Sequence, residues 1–360
     1  MPSTKPELQR LVLHSVADLL VLVPYMIGFH PTDSVVVVAL RGKRVVFAAR
    51  SDLPAATASA IERRELARYV ASVVSQQDAA GVAVIGYGDP DTVAPVVRSV
   101  ADALAETGLA ILDEIRVAGD RYWCLLCDDP DCCPPEGVPF DSDASEVAAA
   151  ATYAGEVALP DRAALSHQVG AVDGRARESM RLATARAEDR LRALVEGATD
   201  ADVLGARAVR IAGEDAVREA MDRHRDGGGL GDDEVAWISL LLAYTPVRDF
   251  AWRQLTGRHD WQVALWMDVL RRAQPNLAAP PASLLAFAAW RAGRGALAAV
   301  ALERALAADP AYSMAVLLDE AVHSGIPPSA LDGWPDGRRA GRAGRRRRGP
   351  GNGRRRALRR

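Results

Sequence analysis

The chain has 360 residues, enough for two domains that each bury a core, and 49% of them are hydrophobic. Its net charge of −3 hides an asymmetry: residues 337–360 hold twelve arginines and no acidic residue, and the rest carries 32 basic side chains against 47 acidic ones. No apolar run approaches the ~20 residues of a membrane span, no basic leader with a cleavage site opens the chain, and four clustered cysteines in so long a chain are not a disulfide framework. The expectation is a cytoplasmic protein with no membrane association and reduced thiols. Lysine occurs only at Lys5 and Lys43, so the arginine excess reflects a GC-rich genome as much as function.

In chain order, a short helix from Asp18 to Met26 is expected, capped by Asp18 and closed by Gly28. The β-branched run from Ser34 to Leu40 reads as a buried strand, turned by Arg41-Gly42-Lys43-Arg44 into a second strand, Val45 to Arg50. Apolar residues at Ile61, Leu66, Tyr69, Val70, Val73 and Val74 recur at helical spacing. Val82 to Tyr87 predicts the next strand, Asp91 to Glu106 a helix. Ile111 to Val117 and Arg121 to Cys127 predict a closing strand pair around Gly119-Asp120. This order, ββαβαββ, predicts an α/β domain with a mixed sheet over residues 1–143.

Beyond it the strand signal disappears. Ala, Leu and Arg at helical spacing predict an all-α domain over residues 144–336, interrupted at Leu159-Pro160-Asp161, at residues 171–174 and at Gly227-Gly228-Gly229. Two apolar helices flank Gly293-Arg294-Gly295, and Asp309-Pro310 opens a third. Ala298, Ala305, Leu306 and Pro310 stand where a tetratricopeptide-like hairpin places its small residues and closing proline, with no second copy. Residues 337–360 are too poor in apolar side chains to fold alone and are expected to form a disordered Arg-rich tail.

The most chemically pointed segment is Cys124-Leu125-Leu126-Cys127-Asp128-Asp129-Pro130-Asp131-Cys132-Cys133-Pro134-Pro135-Glu136-Gly137, which holds every cysteine of the chain. On a continuous strand, Cys124 and Cys127 point to opposite faces. A better geometry sets Cys127 at the strand end, facing a Cys132/Cys133 turn stiffened by Pro130, Pro134 and Pro135. Three readings stay open: structural thiols or a loop staple; a metal, zinc by ligand type, on Cys127, Cys132, Cys133 and Cys124 with Asp128 or Glu136 as an added ligand; and redox chemistry. The structural reading comes first.

Gly86-Tyr87-Gly88-Asp89 ends a strand and begins a helix, the usual ligand edge of an open α/β sheet. Gly86 and Gly88 are therefore candidate cofactor-binding residues, although the third glycine of a dinucleotide fingerprint is absent and Asp89 repels phosphate. The turn alone accounts for Gly88. His30, Asp33 and Ser34 lie too close in sequence for a triad assembled from separate loops, and a turn explains them. Five of the seven tryptophans fall between Trp237 and Trp290. Trp252, Trp261, Trp266 and Trp290 are expected in the bundle core, with Arg248 and Asp249 pairing locally, rather than around an aromatic groove. The tail would contact nucleic acid only nonspecifically, through phosphates, because it lacks aromatic residues for stacking.

The chain resembles an actinobacterial group, domain-of-unknown-function family 4192. The resemblance rests on residues 18–40, Val84-Ile85-Gly86-Tyr87-Gly88, residues 116–139, Val247-Arg248-Asp249 and residues 289–318. Its most specific parts are the Cys-Cys-Pro-Pro-Glu-Gly and Pro-Tyr-Met-Ile-Gly-Phe-His-Pro segments. It spans about residues 19–328, leaves the tail outside, implies a cytosolic actinobacterial protein and brings no activity with it. The sequence thus favours a non-enzymatic cytosolic binding or adaptor protein, with a protein partner at the helical domain. The alternative is a thiol- or metal-dependent enzyme or redox sensor using the cysteine cluster.

Overall fold

The computed structural model describes residues 14–142, 145–198, 202 and 205–331. The expected domain boundary at 143/144 and the arginine tail lie outside the described residues.

The chain opens with helix α1 (Val16–Ile27), followed by β1 (Ser34–Arg41), β2 (Arg44–Asp52), α2 (Ala60–Val74), β3 (Gly81–Tyr87), α3 (Pro90–Glu106) and β4 (Ala110–Ala118). Two short strands, β5 (Arg121–Cys124) and β6 (Val138–Pro139), complete a six-stranded sheet in the order β2-β1-β3-β4-β5-β6. Only β3 and β4 pair in parallel, joined by the crossover helix α3 that parallel pairing requires. β1 and β3 are buried along nearly their whole length, which is why both read as continuous apolar runs rather than alternating ones.

Ser15, not Asp18, is the N-cap of α1. Asp18 sits at the third helical position, and its carboxylate accepts from the Ser15 amide (3.2 Å) while the Ser15 hydroxyl accepts from the Asp18 amide (3.1 Å). This reciprocal box satisfies two otherwise orphaned donors. Gly28 closes the helix at φ 88°, a left-handed conformation that glycine adopts without steric cost.

β5 ends at Cys124, three residues short of the strand expected from sequence. The cause lies in its neighbour. β4 carries a bulge where pairing with β3 skips from Ile111 to Asp113, leaving Leu112 over and 54% exposed. A bulge twists its strand and ends regular pairing. One further bond, from the Leu125 amide to the Glu114 carbonyl (2.7 Å), is made before the chain departs.

The sheet is covered on both faces. Val35, Val37, Ala39, Val82 and Val84 pack against α2 and α3, including Val70, Val74, Val93, Val97 and Leu104. Gly86 is part of that contact: a β-carbon there would stand 2.3 Å from Val93 Cγ1 and 2.8 Å from Val97 Cγ2. On the other face Val36, Val38, Ile85, Ile115 and Val117 join α1 in a buried cluster that continues without a break into the helical part.

That part runs through α4 (Glu146–Tyr153), α5 (Arg162–Gln168), α6 (Gly174–Glu196), α7 (Ala206–Arg225), α8 (Asp232–Leu241) and α9 (Thr245–Gln254). It continues through α10 (Asp260–Arg272), α11 (Ala279–Arg291), α12 (Gly295–Ala308) and α13 (Ser313–His323). α13 starts four residues after Asp309, because the Asp309 carboxylate accepts from the Ala311 amide (3.0 Å) in a turn that delays the helix. Trp237, Trp266 and Trp290 are buried, and Trp252 meets Phe287 edge to face at 5.6 Å. Arg248 donates to Asp249 (2.6 Å) and lies over the Tyr312 ring, so it serves the bundle internally.

α2 is tied to the far end of the chain. Gln76 and Gln77 donate side-chain amide protons to the carbonyls of Ser324 and Gly325 (both 2.7 Å), and the Tyr69 hydroxyl donates to that of His323 (3.0 Å). These bonds satisfy carbonyls left open where α13 ends. No helix among the described residues is long and apolar enough to cross a membrane.

Candidate metal centre

The loop between β5 and β6 is held shape by shape. The Asp129 carbonyl accepts from the amides of Cys132 (3.2 Å) and Cys133 (2.7 Å), and the Asp129 carboxylate accepts from Asp131 (3.0 Å). That tight turn, next to the fixed φ of Pro130 and Pro134, throws Cys132 and Cys133 back toward the strand end. The second half of the loop lies on Trp123, whose indole N–H donates to the Pro135 carbonyl (2.9 Å). Arg121 donates to the Gly137 carbonyl (2.8 Å), and the Arg116 guanidinium stacks on the Trp123 ring at 3.6 Å.

Gly137 is required here twice over. Its φ is 81°, and a β-carbon would meet the Trp123 ring at 2.6 Å. Gly137→Ala is expected to cost roughly 1–2 kcal/mol, visible as a lower thermal midpoint together with a shift in Trp123 fluorescence.

The result is a three-thiol cluster. The sulfurs of Cys127, Cys132 and Cys133 all lie within 4.8 Å of one another. Cys124 is not among them. It stays on β5 opposite Ile115, and its thiol donates to Asp113 Oδ1 at 3.2 Å. Burial first, and then the Asp113 carboxylate, push the Cys124 thiol above its usual range, so it keeps its proton at neutral pH. The Cys133 thiol is pushed up to about 12, chiefly because it hydrogen-bonds Cys127, with Cys132 crowding it as well. Three thiolates this close repel one another unless a cation sits among them.

The remaining sequence candidates separate cleanly. Gly86 lies under α3, where a β-carbon would meet Val93 and Val97, so it serves close packing there. Gly88, at φ 136°, does line a cleft at the sheet edge, together with His30 and Asp33. The adjoining helix start offers nothing to an anion, since the Asp89 carboxylate already accepts from the Asp91 amide (3.0 Å). Ser34 is fully buried and donates to the Thr32 carbonyl (2.8 Å), which takes its hydroxyl out of reach of His30 and Asp33. Sequence reasoning did not find Asp113, the partner of Cys124, because it comes from the neighbouring strand.

Fold and site together define a mixed-sheet α/β unit continued by a helical bundle, carrying a three-cysteine centre on an edge loop. The chain belongs to the family described as domain of unknown function (DUF4192), whose family model matches residues 17–329. No curated protein and no solved structure matches it.

Proposed function

We propose that this chain is a non-enzymatic cytoplasmic binding protein whose α/β part is clamped by a zinc ion on Cys127, Cys132 and Cys133. The observation that carries the reading is the mutual approach of three sulfurs within 4.8 Å. Zinc–sulfur bonds of about 2.3 Å at tetrahedral angles set sulfurs ~3.8 Å apart, a small contraction from that arrangement. A disulfide would join two of the three and leave the third unused, whereas a thiophilic divalent ion takes all of them. Asp128, Glu136 or water completes the coordination. In this reading the ion staples the β5–β6 loop, replacing a core that a two-residue strand cannot supply. The helical part supplies the protein-binding surface, with α11 and α12 as its tetratricopeptide-like hairpin.

Titration with zinc against a chromophoric chelator tests the reading: saturation at one ion per chain supports it, and failure to compete rejects it. The pH dependence follows from the same chemistry. Metal binding displaces the thiol protons of up to three cysteines, so affinity is expected to fall as pH is lowered, with protons released on loading at neutral pH. The metal-free chain behaves oppositely to the usual carboxylate case. Because the Cys133 thiol is raised from 9.0 to about 12, the folded state holds its proton more tightly than the unfolded state. The part of the stability that this thiol contributes is therefore present below pH 9 and is lost as pH rises toward 12. Alkaline unfolding curves with and without zinc check the sign, since bound zinc removes this proton linkage.

A further inference from the structure

The three-thiol centre differs from a permanent zinc staple in two ways. Structural zinc sites are closed by four protein ligands. Here no fourth His, Cys, Asp or Glu joins Cys127, Cys132 and Cys133 among the described residues. The centre is also unsealed: Cys132 is exposed, and its two partners are half-buried. Accessible thiolates are the ones that oxidants reach, whereas buried structural cysteines are inert.

The surroundings select the oxidant. Residues 122–137 hold Asp128, Asp129, Asp131 and Glu136, all exposed, and no lysine or arginine. An anionic disulfide meets repulsion there, whereas a small uncharged hydroperoxide does not. Chain geometry selects the sulfurs. The Cα atoms of sequence neighbours across a trans peptide stand about 3.8 Å apart, short of the roughly 4.4–6.8 Å of an unstrained disulfide. Cys132 and Cys133 therefore pair poorly, and Cys127, whose sulfur lies within 4.8 Å of that of Cys132, is the favoured partner. Cys124 stands apart, its thiol bonded to Asp113 Oδ1 (3.2 Å).

Resting on the zinc reading above, we infer that the centre is an oxidant-released clasp: a hydroperoxide oxidises Cys132, Cys127 closes a disulfide with it, and the ion leaves. The Cys132 thiolate attacks the terminal peroxide oxygen and the O–O bond breaks. The alkoxide (hydroxide from hydrogen peroxide) takes up a proton and departs, and Cys132 is left as a sulfenic acid. The Cys127 thiolate then attacks the Cys132 sulfur. An S–S bond forms, the S–O bond breaks, and the expelled hydroxide takes up a second proton as water. Two electrons pass from the two sulfurs to the peroxide. Zinc keeps its charge throughout and is released, because Cys133 alone does not retain it. The disulfide ties residues 127–132 only to themselves, whereas the ion also ties Cys127 to Cys133. Oxidation thereby unclasps the stretch from Cys133 onward, which delivers Val138 and Pro139 to Tyr122 and Arg121.

In the test, zinc loading of the full chain is read first, and hydrogen peroxide is then added beside a chromophoric chelator. Release of one zinc per chain is expected, with a mass two hydrogens below that of the reduced metal-free chain. Peptide mapping should find Cys127 linked to Cys132, with Cys124 and Cys133 open to alkylation. Cleavage after the exposed Glu136 by a glutamyl endopeptidase is expected to rise severalfold, and a thiol reductant with zinc to restore the starting state. Cys124→Ser should release its zinc as the unaltered chain does. A loaded chain that keeps its zinc under peroxide, a different disulfide, sulfinic acid without a disulfide, or unchanged cleavage after Glu136 overturns the clasp and leaves the zinc reading standing. A chain that takes up no zinc before peroxide is added overturns both.

Discussion

Replacing Cys127, Cys132 or Cys133 singly by serine is expected to abolish stoichiometric zinc binding, while Cys124→Ser leaves it intact. The four residues lie within ten positions of one another, so sequence proximity gives no reason for such a split. The structure does. Three sulfurs converge, and the fourth is engaged with Asp113 across the β4–β5 ladder. Loss of one thiolate from a three-thiolate set removes the charge that holds the ion, and a serine hydroxyl does not replace it at neutral pH. Because the ion closes the loop on itself, the three defective variants should also open the loop to proteolysis after Leu125 or Leu126. Metal analysis and limited proteolysis on the four variants check both outcomes. Equal loss in all four variants would return Cys124 to the ligand set and contradict the geometry.

The second large effect is expected at Gly86. Gly86→Val forces side-chain atoms into Val93 and Val97, where even a single β-carbon would stand 2.3 Å from a methyl group. Both neighbours are fully buried between the sheet and α3, and neither has room to retreat. Overpacking of this kind costs about 1–3 kcal/mol, and the enclosed site places Gly86→Val at the upper end or beyond. Chemical denaturation measures the loss.

These cases show where the sequence was legible. The runs at β1 and β3 announce themselves because both strands are buried on both faces and need no polar alternation. The mixed sheet followed by helices was readable for the same reason, from the change of period after the cysteine loop. β6 was not, since two residues carry no periodicity and Val138–Pro139 pairs only because the loop delivers it to Arg121 and Tyr122. The end of β5 was hidden too: it is decided by the bulge at Leu112, which depends on the register between β3 and β4.

The thiol centre was half legible. A strand-end Cys127 facing a proline-stiffened Cys132/Cys133 turn follows from local chemistry, and the three sulfurs do meet. The departure of Cys124 depends on Asp113, eleven residues upstream on another strand. The cleft was less legible still. His30 and Asp33 read as an ordinary turn, and only the antiparallel pairing of β1 with β3 brings that turn beside Tyr87 and Gly88. The φ of 43° at Asp33 leaves no trace in composition or spacing.

Native mass spectrometry of the full chain, purified anaerobically without chelator and then alkylated, decides whether the three thiols hold an ion. One zinc ion per chain is expected, with Cys127, Cys132 and Cys133 protected from alkylation until the metal is stripped. A chain that carries no metal even after zinc is supplied, with the three thiols freely alkylated or two of them joined as a disulfide, would contradict it.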